Sequence, residues 1–145
     1  MFCEDVSTLV TSPASNKWFE MREDAKQLSE KKGELFYSVV VKLLFIKKRS
    51  RHDLATSVGF LTKRVSNSDV DNWEKFRRIL RFVHYTLKRK TCSGAASIDE
   101  ILTWVDASYV IHHEMKSNTG GAVSMGLGVT HCRSSKQKLN TNIST

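Results

Sequence analysis

The stretch SDVDNWEKFRRILRFVHYTL, residues 68–87, carries the clearest helical pattern of the chain. Its large apolar residues recur at spacings of three and four, as on one face of an α-helix; they are Trp73, Phe76, Leu80, Val83 and Leu87. Ser68 or Asp69 can cap the amino end with a side-chain oxygen. Three cations fall outside the apolar stripe, namely Lys75, Arg78 and Arg81. We therefore predict a helix that packs through its apolar stripe and carries these cations on its outer surface.

Two more amphipathic helices are predicted upstream of this stretch. Residues 28–48 carry apolar residues at helical spacing; they are Leu35, Phe36, Val39, Val40, Leu43 and Ile46. Residues 53–65 carry a second apolar face, made of Leu54, Val58, Leu61 and Val65. Asp53 is the candidate cap of that second helix. Residues 24–90 are thus expected to form a segment of three helices with the basic residues on the outside.

After residue 90 the pattern changes to runs rich in β-branched and aromatic residues, which favour strands. Residues 91–98 are interpreted as a linker, and residues 101–111 predict one strand. Residues 122–133 predict a hairpin of two shorter strands. Four glycines are assigned to turns, namely Gly120, Gly121, Gly126 and Gly128. We therefore assign residues 99–145 to a small antiparallel three-stranded sheet, and the whole chain to the α+β class.

The composition is that of a globular intracellular protein. The chain has 145 residues, of which 40% are hydrophobic and 26% charged, as in ordinary globular domains. No apolar run is long enough to predict a membrane span, and the first residues lack the features of a secretory signal. We expect a cytoplasmic or nuclear location with reduced thiols at Cys3, Cys92 and Cys132. Residues 1–23 hold the only proline, Pro13, show no clear period, and are expected to be a flexible arm.

The net charge of +8 is concentrated in the middle of the chain. Residues 31–90 hold 16 Lys and Arg against 5 Asp and Glu, residues 1–30 hold 3 against 6, and residues 91–145 hold 4 against 4. A basic block of this kind suits a polyanion, because neutralised phosphates release their counterions. The candidate nucleic-acid contacts are Lys47, Lys48, Arg49, Arg51, Lys75, Arg78 and Arg81. A solvated surface of helices accounts for the same charges and remains open.

Asp106 lies within the strand-like stretch TWVDASYV, residues 103–110. A carboxylate there can be a metal ligand, but phosphodiester hydrolysis with two metal ions needs several carboxylates that converge on the cations. Only Glu114 follows Asp106, while Asp99 and Glu100 precede it at the entrance of the strand. The carboxylate count therefore favours a structural or vestigial Asp106, which is at most part of an incomplete metal site.

Other site chemistries have little support in the sequence. Two adjacent pairs, His112-His113 and His131-Cys132, contain zinc-ligand residue types. Zinc ligands are usually spaced so that both point inward, whereas neighbours on a strand point to opposite faces. No glycine-rich phosphate loop is present. We therefore predict neither a zinc site nor a small-molecule substrate.

Several short motifs occur in a fixed order along residues 20–145. They are KLLF at 42–45, KRSRHDL at 48–54, RILRF at 78–82, WVDASY at 104–109, SNTGG at 117–121 and SSKQKLNT at 134–141, followed by Ser144-Thr145. This ordered set resembles the Pol polyprotein of copia-type LTR retrotransposons. The resemblance implies that residues 24–90 correspond to the thumb or connection at the end of the reverse transcriptase. It also implies that residues 99–145 correspond to the first three antiparallel strands of an RNase H-like domain.

By this resemblance, Asp106 takes the position of the first metal-binding aspartate of the RNase H domain, which in its complete form uses Mg²⁺. The other catalytic carboxylates of the family lie outside the matching region, so a truncated fragment without enzymatic activity is expected. Two positions depart from the family pattern. His52 replaces the proline of an R-P-D motif, and Tyr85 replaces a glycine, so the third helix is expected to lack its usual stop.

The function expected from these observations is weak, non-specific binding of RNA/DNA hybrid or other nucleic acid through the basic helices. No cofactor is expected for this chain. The alternative is a small helical module whose basic surface binds an acidic protein. The two functions differ in a competition experiment, because excess nucleic acid should not displace an acidic protein partner.

Overall fold

The computed structural model describes residues 10–90, 92, 94–97, 99–108 and 116–138. The chain separates into two compact units, a helical unit up to residue 90 and a sheet unit beyond it, which also takes in residues 19–21. Within the described residues, the elements are three α-helices and one 3-10 helix, followed by a three-stranded sheet. The α+β class expected from the sequence is therefore confirmed.

The helical unit contains the three helices that the sequence predicts. They are α1 (Glu30–Arg49), α2 (Ala55–Thr62), which follows a 3-10 helix at His52–Leu54, and α3 (Val70–Tyr85). Among the described residues, no helix combines the length and the apolar character that crossing a membrane requires.

The two predicted helix caps have different outcomes. The Asp69 side chain caps α3, because its Oδ1 accepts a hydrogen bond from the backbone N–H of Asn72 at 2.7 Å. Asp53 does not cap α2, which is preceded by Leu54 without a side-chain cap. The carboxylate of Asp53 instead accepts hydrogen bonds from the guanidinium of Arg51. The Asp53 carboxylate is thus paired with Arg51 and does not cap α2.

The core of the helical unit combines apolar faces of all three helices. Its buried apolar residues on the helices are Phe36, Val40, Leu43, Leu54, Ala55, Val58, Phe60, Leu61, Phe76, Ile79 and Phe82. On α3 the buried face is rotated from the predicted stripe. Ile79 and Phe82 are buried, Leu80 and Val83 are half-buried, and Leu87 is exposed. Because α3 carries apolar residues on more than one side, periodicity alone does not select the face that packs.

Residues 10–18 of the amino-terminal segment belong to the helical unit. Trp18 is fully buried, and its ring meets Phe60 edge-on with 6.2 Å between the ring centroids. Val10 is buried as well. A buried tryptophan removes a large apolar area from water, which holds the chain in place. Two side chains of the expected flexible arm, residues 1–23, are therefore buried, residues 1–9 lie outside the described residues, and the flexibility of the arm stays a prediction.

The sheet unit consists of β1 (Leu102–Ser108), β2 (Asn118–Ser124) and β3 (Val129–Lys136). The strands lie in the order β1-β2-β3, and both neighbouring pairs are antiparallel. The predicted three-stranded antiparallel sheet is therefore present. The predicted strand at residues 101–111 matches β1 as far as residue 108, and residues 109–111 lie outside the described residues.

The boundaries of β2 and β3 differ from the prediction. Gly120 and Gly121, which were assigned to a turn, lie within β2 opposite Asp106 and Val105. The polar residues 134–136 extend β3 and pair with β2. Glycine and, to a lesser degree, lysine have low strand propensity, but propensity in a sheet is set largely by pairing and neighbouring side chains. The sequence therefore underestimates the length of both strands.

The β2–β3 hairpin turns at Gly126 and Gly128, as predicted. Their φ angles of +118° and +114° lie where side chains other than glycine are strained. The Ser124 hydroxyl holds the turn, since it donates a hydrogen bond to the carbonyl oxygen of Gly128 at 2.6 Å and accepts one from the amide of Gly126 at 3.0 Å. The turn is thus fixed by its own backbone and by one buried serine.

Part of the predicted linker, residues 91–98, is attached to this hairpin. The amide of Ala96 donates to the carbonyl oxygen of Met125 at 2.8 Å, and the amide of Leu127 donates to that of Gly94 at 3.0 Å. The described linker residues therefore contribute backbone hydrogen bonds to the sheet unit, which the sequence did not predict.

Candidate nucleic-acid interface and the surroundings of Asp106

Asp106 lies in the middle of β1 and is exposed. The strand register places it opposite Gly120, which in turn lies opposite Ser134 of β3. Neither neighbour carries a carboxylate. The hydroxyl of Ser134 accepts a hydrogen bond from the Asn118 amide at 3.0 Å. The row across the sheet at Asp106 is therefore open and supplies one carboxylate.

The side chains around Asp106 do not fit the Mg²⁺ site that the resemblance implies. A site with two metal ions requires several carboxylate oxygens on the cations. Among the residues that the structure describes, no group of three or more His, Cys, Asp or Glu side chains is placed to hold a metal ion. Asp99 and Glu100 precede β1 and are exposed, and Glu114 lies outside the described residues. We therefore derive no metal-dependent step from this site.

The second metal candidate, His131-Cys132, lies on β3 opposite Val123 and Ala122. Adjacent residues of a strand project to opposite faces, so these two side chains do not converge on one ion. Within the described part of the chain, Cys92 and Cys132 form no disulfide. The remaining candidates fall outside the described residues, namely Cys3, His112 and His113.

Two of the seven predicted nucleic-acid contacts are buried, which contradicts the expectation that all of them lie outside. Arg51 and Lys75 are each 9% exposed. The Nη2 of Arg51 donates to Asp53 at 2.9 Å and to the Thr86 hydroxyl at 2.6 Å. The Nζ of Lys75 donates to Asp71 at 2.8 Å, one turn away on α3. Both cations are used inside the helical unit and are not available to a polyanion.

The other five predicted contacts lie on two helices. Lys47, Lys48 and Arg49 form the last turn of α1, where cations suit the negative end of the helix dipole. Lys48 and Arg49 are exposed, while Lys47 is half-buried. The half-buried Arg78 and Arg81 lie one turn apart on α3. The structure therefore gathers three candidates at the end of α1 and leaves two on another element.

Acidic side chains of the helical unit are held in internal contacts. Asp53 meets Arg51 at 2.9 Å and Arg89 at 3.4 Å. Asp71 is paired with Lys75 at 2.8 Å, and both side chains are nearly buried. In each of these contacts, the negative charge of the carboxylate is offset by the positive charge of its partner. The outer potential of the unit is consequently set by the excess of exposed Lys and Arg.

Two features of the helical unit were missed by sequence reasoning. One is the contact of Arg51 with Thr86, which joins residues 35 apart in the sequence. The other is an outer face of α1 on which Tyr37, Val41 and Phe45 are exposed. The sequence contains a signal for this face, because these three residues recur every four positions on the side of α1 opposite its predicted apolar stripe. The Arg51 contact had no such signal, because no local pattern specifies a partner so far along the chain.

The comparison with known proteins gives one informative similarity. No protein-family model matches the chain, and no solved structure matches it significantly. A Saccharomyces cerevisiae protein named for the transposon Ty5-1 is 28% identical over 102 residues, which is 70% of this chain and 33% of that protein. The chain is similar to a transposon protein over this region. It matches about a third of the length of this relative, in agreement with the broader part of the resemblance found in the sequence.

Proposed function

We propose that the chain is a fragment of a copia-type retrotransposon Pol polyprotein that covers the end of the reverse transcriptase and the start of RNase H. In this proposal the helical unit binds nucleic acid weakly, without sequence preference, through its basic surface. The chain does not hydrolyse nucleic acid by itself. The similarity to a transposon protein and the ordered motifs of the sequence support the origin.

The observation that carries the binding proposal is the charge of the helical segment. Residues 31–90 hold 16 Lys and Arg against 5 Asp and Glu, and several of those acids are already engaged within the unit. Lys48 and Arg49 are exposed next to one another at the end of α1. Such a surface attracts phosphates by a mechanism that weakens steeply as salt displaces the released counterions.

The binding proposal predicts salt-sensitive association with a labelled RNA/DNA hybrid. Replacing both Lys48 and Arg49 by Gln should lower the slope of log affinity against log salt by about 1 to 2, since each phosphate contact contributes about 0.9 on a duplex. Titrations of the full chain by fluorescence anisotropy at several salt concentrations measure this slope. Absence of binding at low salt, or binding indifferent to salt, would refute the proposal.

A matched control separates local contact from net charge. Replacing Arg133 and Lys138 of the sheet unit by Gln removes the same charge from exposed positions. This control should leave the slope unchanged if the helical unit makes the contacts. An acidic protein as the true partner would instead bind the chain in competition assays without displacement by excess hybrid.

The proposal also predicts no cleavage of an RNA/DNA hybrid by this chain in Mg²⁺. The single carboxylate of the row Asp106–Gly120–Ser134 cannot supply the oxygen ligands that two Mg²⁺ require. Incubation of labelled hybrid with the chain and gel analysis measures cleavage. Mg²⁺-dependent cleavage that disappears in Asp106→Asn would contradict the prediction.

A further inference from the structure

The outer face of α1 carries a row of exposed apolar residues. Tyr37, Val41 and Phe45 follow one another at four-residue intervals and are 54%, 45% and 63% exposed. The same helix buries Phe36, Val40 and Leu43 on its other side. At 3.6 residues per turn, the exposed row covers about 80° of the circumference, with Phe45 roughly opposite the buried face. We call this row the α1 outer face.

Cations stand beside the aromatic rings of the α1 outer face. Lys42 and Lys48 are exposed, and at 3.6 residues per turn they lie about 60° on either side of Phe45. The guanidinium of Arg49 lies 5.5 Å from the ring centroid of Phe45, within the range of a cation–π contact. From residue 37 to residue 49 of α1, the two rings thus alternate along the helix with positive charges.

This combination favours a nucleic-acid strand over a second copy of the chain and over a purely apolar partner. A second copy of the chain would bring the same cations together, and like charges close to an interface oppose pairing. A purely apolar partner would leave Lys42, Lys48 and Arg49 without opposite charge. A strand with unpaired bases satisfies both features, because its bases stack on aromatic rings and its phosphates meet the cations.

We propose that the α1 outer face binds single-stranded nucleic acid, with unpaired bases stacked on Tyr37 and Phe45 and phosphates held by Lys42, Lys48 and Arg49. The inference rests on the proposed function and names the class of nucleic acid. Eight residues of helix separate the two rings by about 12 Å along the axis.

A stacking surface distinguishes single strands from duplexes. In a duplex the faces of the bases are already covered by neighbouring bases, so only the phosphates remain available to the protein. The charged residues of α1 contact both forms, whereas the rings add affinity for unpaired bases alone. A preference for single strands is therefore the signature of Tyr37 and Phe45, and salt dependence is the signature of the cations.

The test compares a labelled twelve-nucleotide oligo(dT) with a twelve-base-pair duplex, using the full chain and fluorescence anisotropy. The wild type is expected to bind the single strand at least about tenfold more tightly than the duplex. Phe45→Leu and Tyr37→Leu should each weaken single-strand binding by about five- to tenfold and leave duplex binding within about twofold. Leucine keeps the apolar character and forms helices well, so circular dichroism should be unchanged.

Val41→Leu is the matched control, because it changes an exposed apolar residue between the two rings without altering any aromatic surface. It should leave both affinities unchanged. Equal affinity of the wild type for the single strand and the duplex, together with no effect of Phe45→Leu, overturns the inference. If binding of the two probes still depends on salt, the proposed function stands. No binding to either probe overturns both. The inference is also overturned if the wild type sediments as a dimer and Phe45→Leu sediments as a monomer. That result would assign the α1 outer face to a second copy of the chain.

Discussion

Arg51 joins the segment after α1 to the end of α3. Its guanidinium donates to the Asp53 carboxylate and to the Thr86 hydroxyl, and it lies 5.4 Å from the ring centroid of Phe82. The Thr86 hydroxyl in turn donates to the carbonyl oxygen of Phe82 at 2.6 Å. These contacts close the last turn of α3. The helix therefore ends after Tyr85 without a glycine, contrary to the expectation that it lacks a stop.

Arg51→Ala should lower the free energy of unfolding by about 2 kcal/mol, because it removes the shortest hydrogen bonds to the partly buried Asp53 carboxylate and the donor to the Thr86 hydroxyl. Arg89→Ala is the matched control. Arg89 meets the same carboxylate at 3.4 Å, but its side chain is 56% exposed, so the loss should stay below about 1 kcal/mol. Urea unfolding of both variants measures the difference. Equal effects of the two substitutions would contradict this role of Arg51.

At the scale of the elements, the glycines of the β2–β3 hairpin have two different roles. Gly121 lies within β2, and a side chain added there would meet the carbonyl oxygen of Trp104 at an ordinary contact distance of 3.6 Å. Gly126 lies in the turn with a φ of +118°, and an added Cβ would approach Ala96 to 2.5 Å. The first glycine is therefore replaceable, while the second is required by the turn and by the linker residues beside it.

Gly126→Ala should disrupt the hairpin, whereas Gly121→Ala should be tolerated. The first change combines a strained backbone with a steric clash, at a cost of about 1 to 3 kcal/mol. The second places alanine in ordinary extended backbone. Hydrogen exchange of the amides in residues 118–136, measured by mass spectrometry on the full chain, should accelerate in Gly126→Ala alone. Faster exchange in Gly121→Ala to the same extent would indicate a turn rather than a strand at that position.

At the scale of the whole molecule, the two units differ in how much apolar surface they bury. Among the described residues, all buried hydrophobic side chains belong to the helical unit. The buried side chains of the sheet unit are Ser117 and Ser124, while apolar residues of β1 such as Trp104 and Val105 are exposed. Since burial of apolar surface is the main stabilising contribution in folding, the helical unit should be the more stable one.

Native-state hydrogen exchange should show this difference directly. Amides in the middle of α1 and α3 are expected to exchange about a hundredfold more slowly than those of β1 to β3, after correction for intrinsic rates. In a fully denaturing concentration of urea, the amides of the helices and those of the strands should exchange equally fast after the same correction, which provides the reference. Strong protection of residues 102–136 together with none in the helices would refute the expectation.

The open sheet edge and the exposed apolar strand also predict aggregation on prolonged heating.

Local patterns in the sequence determined which elements exist. Helical spacing located α1, α2 and α3, Asp69 marked the start of α3, and the change to β-branched residues after residue 90 marked the sheet. These features depend on neighbours within about one turn or one strand, which the sequence displays directly. The position of Asp106 on the first strand, without a set of carboxylates around it in the described residues, was also readable in this way.

Only the tertiary structure decided which side of each element is used. In the tertiary structure, Ile79 and Phe82 are on the buried face of α3. Arg51 and Lys75 are buried in the helical unit, whereas Tyr37 and Phe45 of α1 are exposed. The tertiary structure also drew Gly120 and Gly121 into β2 by pairing them with β1. The physical reason is common to all of these cases. A cation or an apolar side chain has the same local pattern whether it is buried or exposed, and its partner from a distant part of the chain makes the difference.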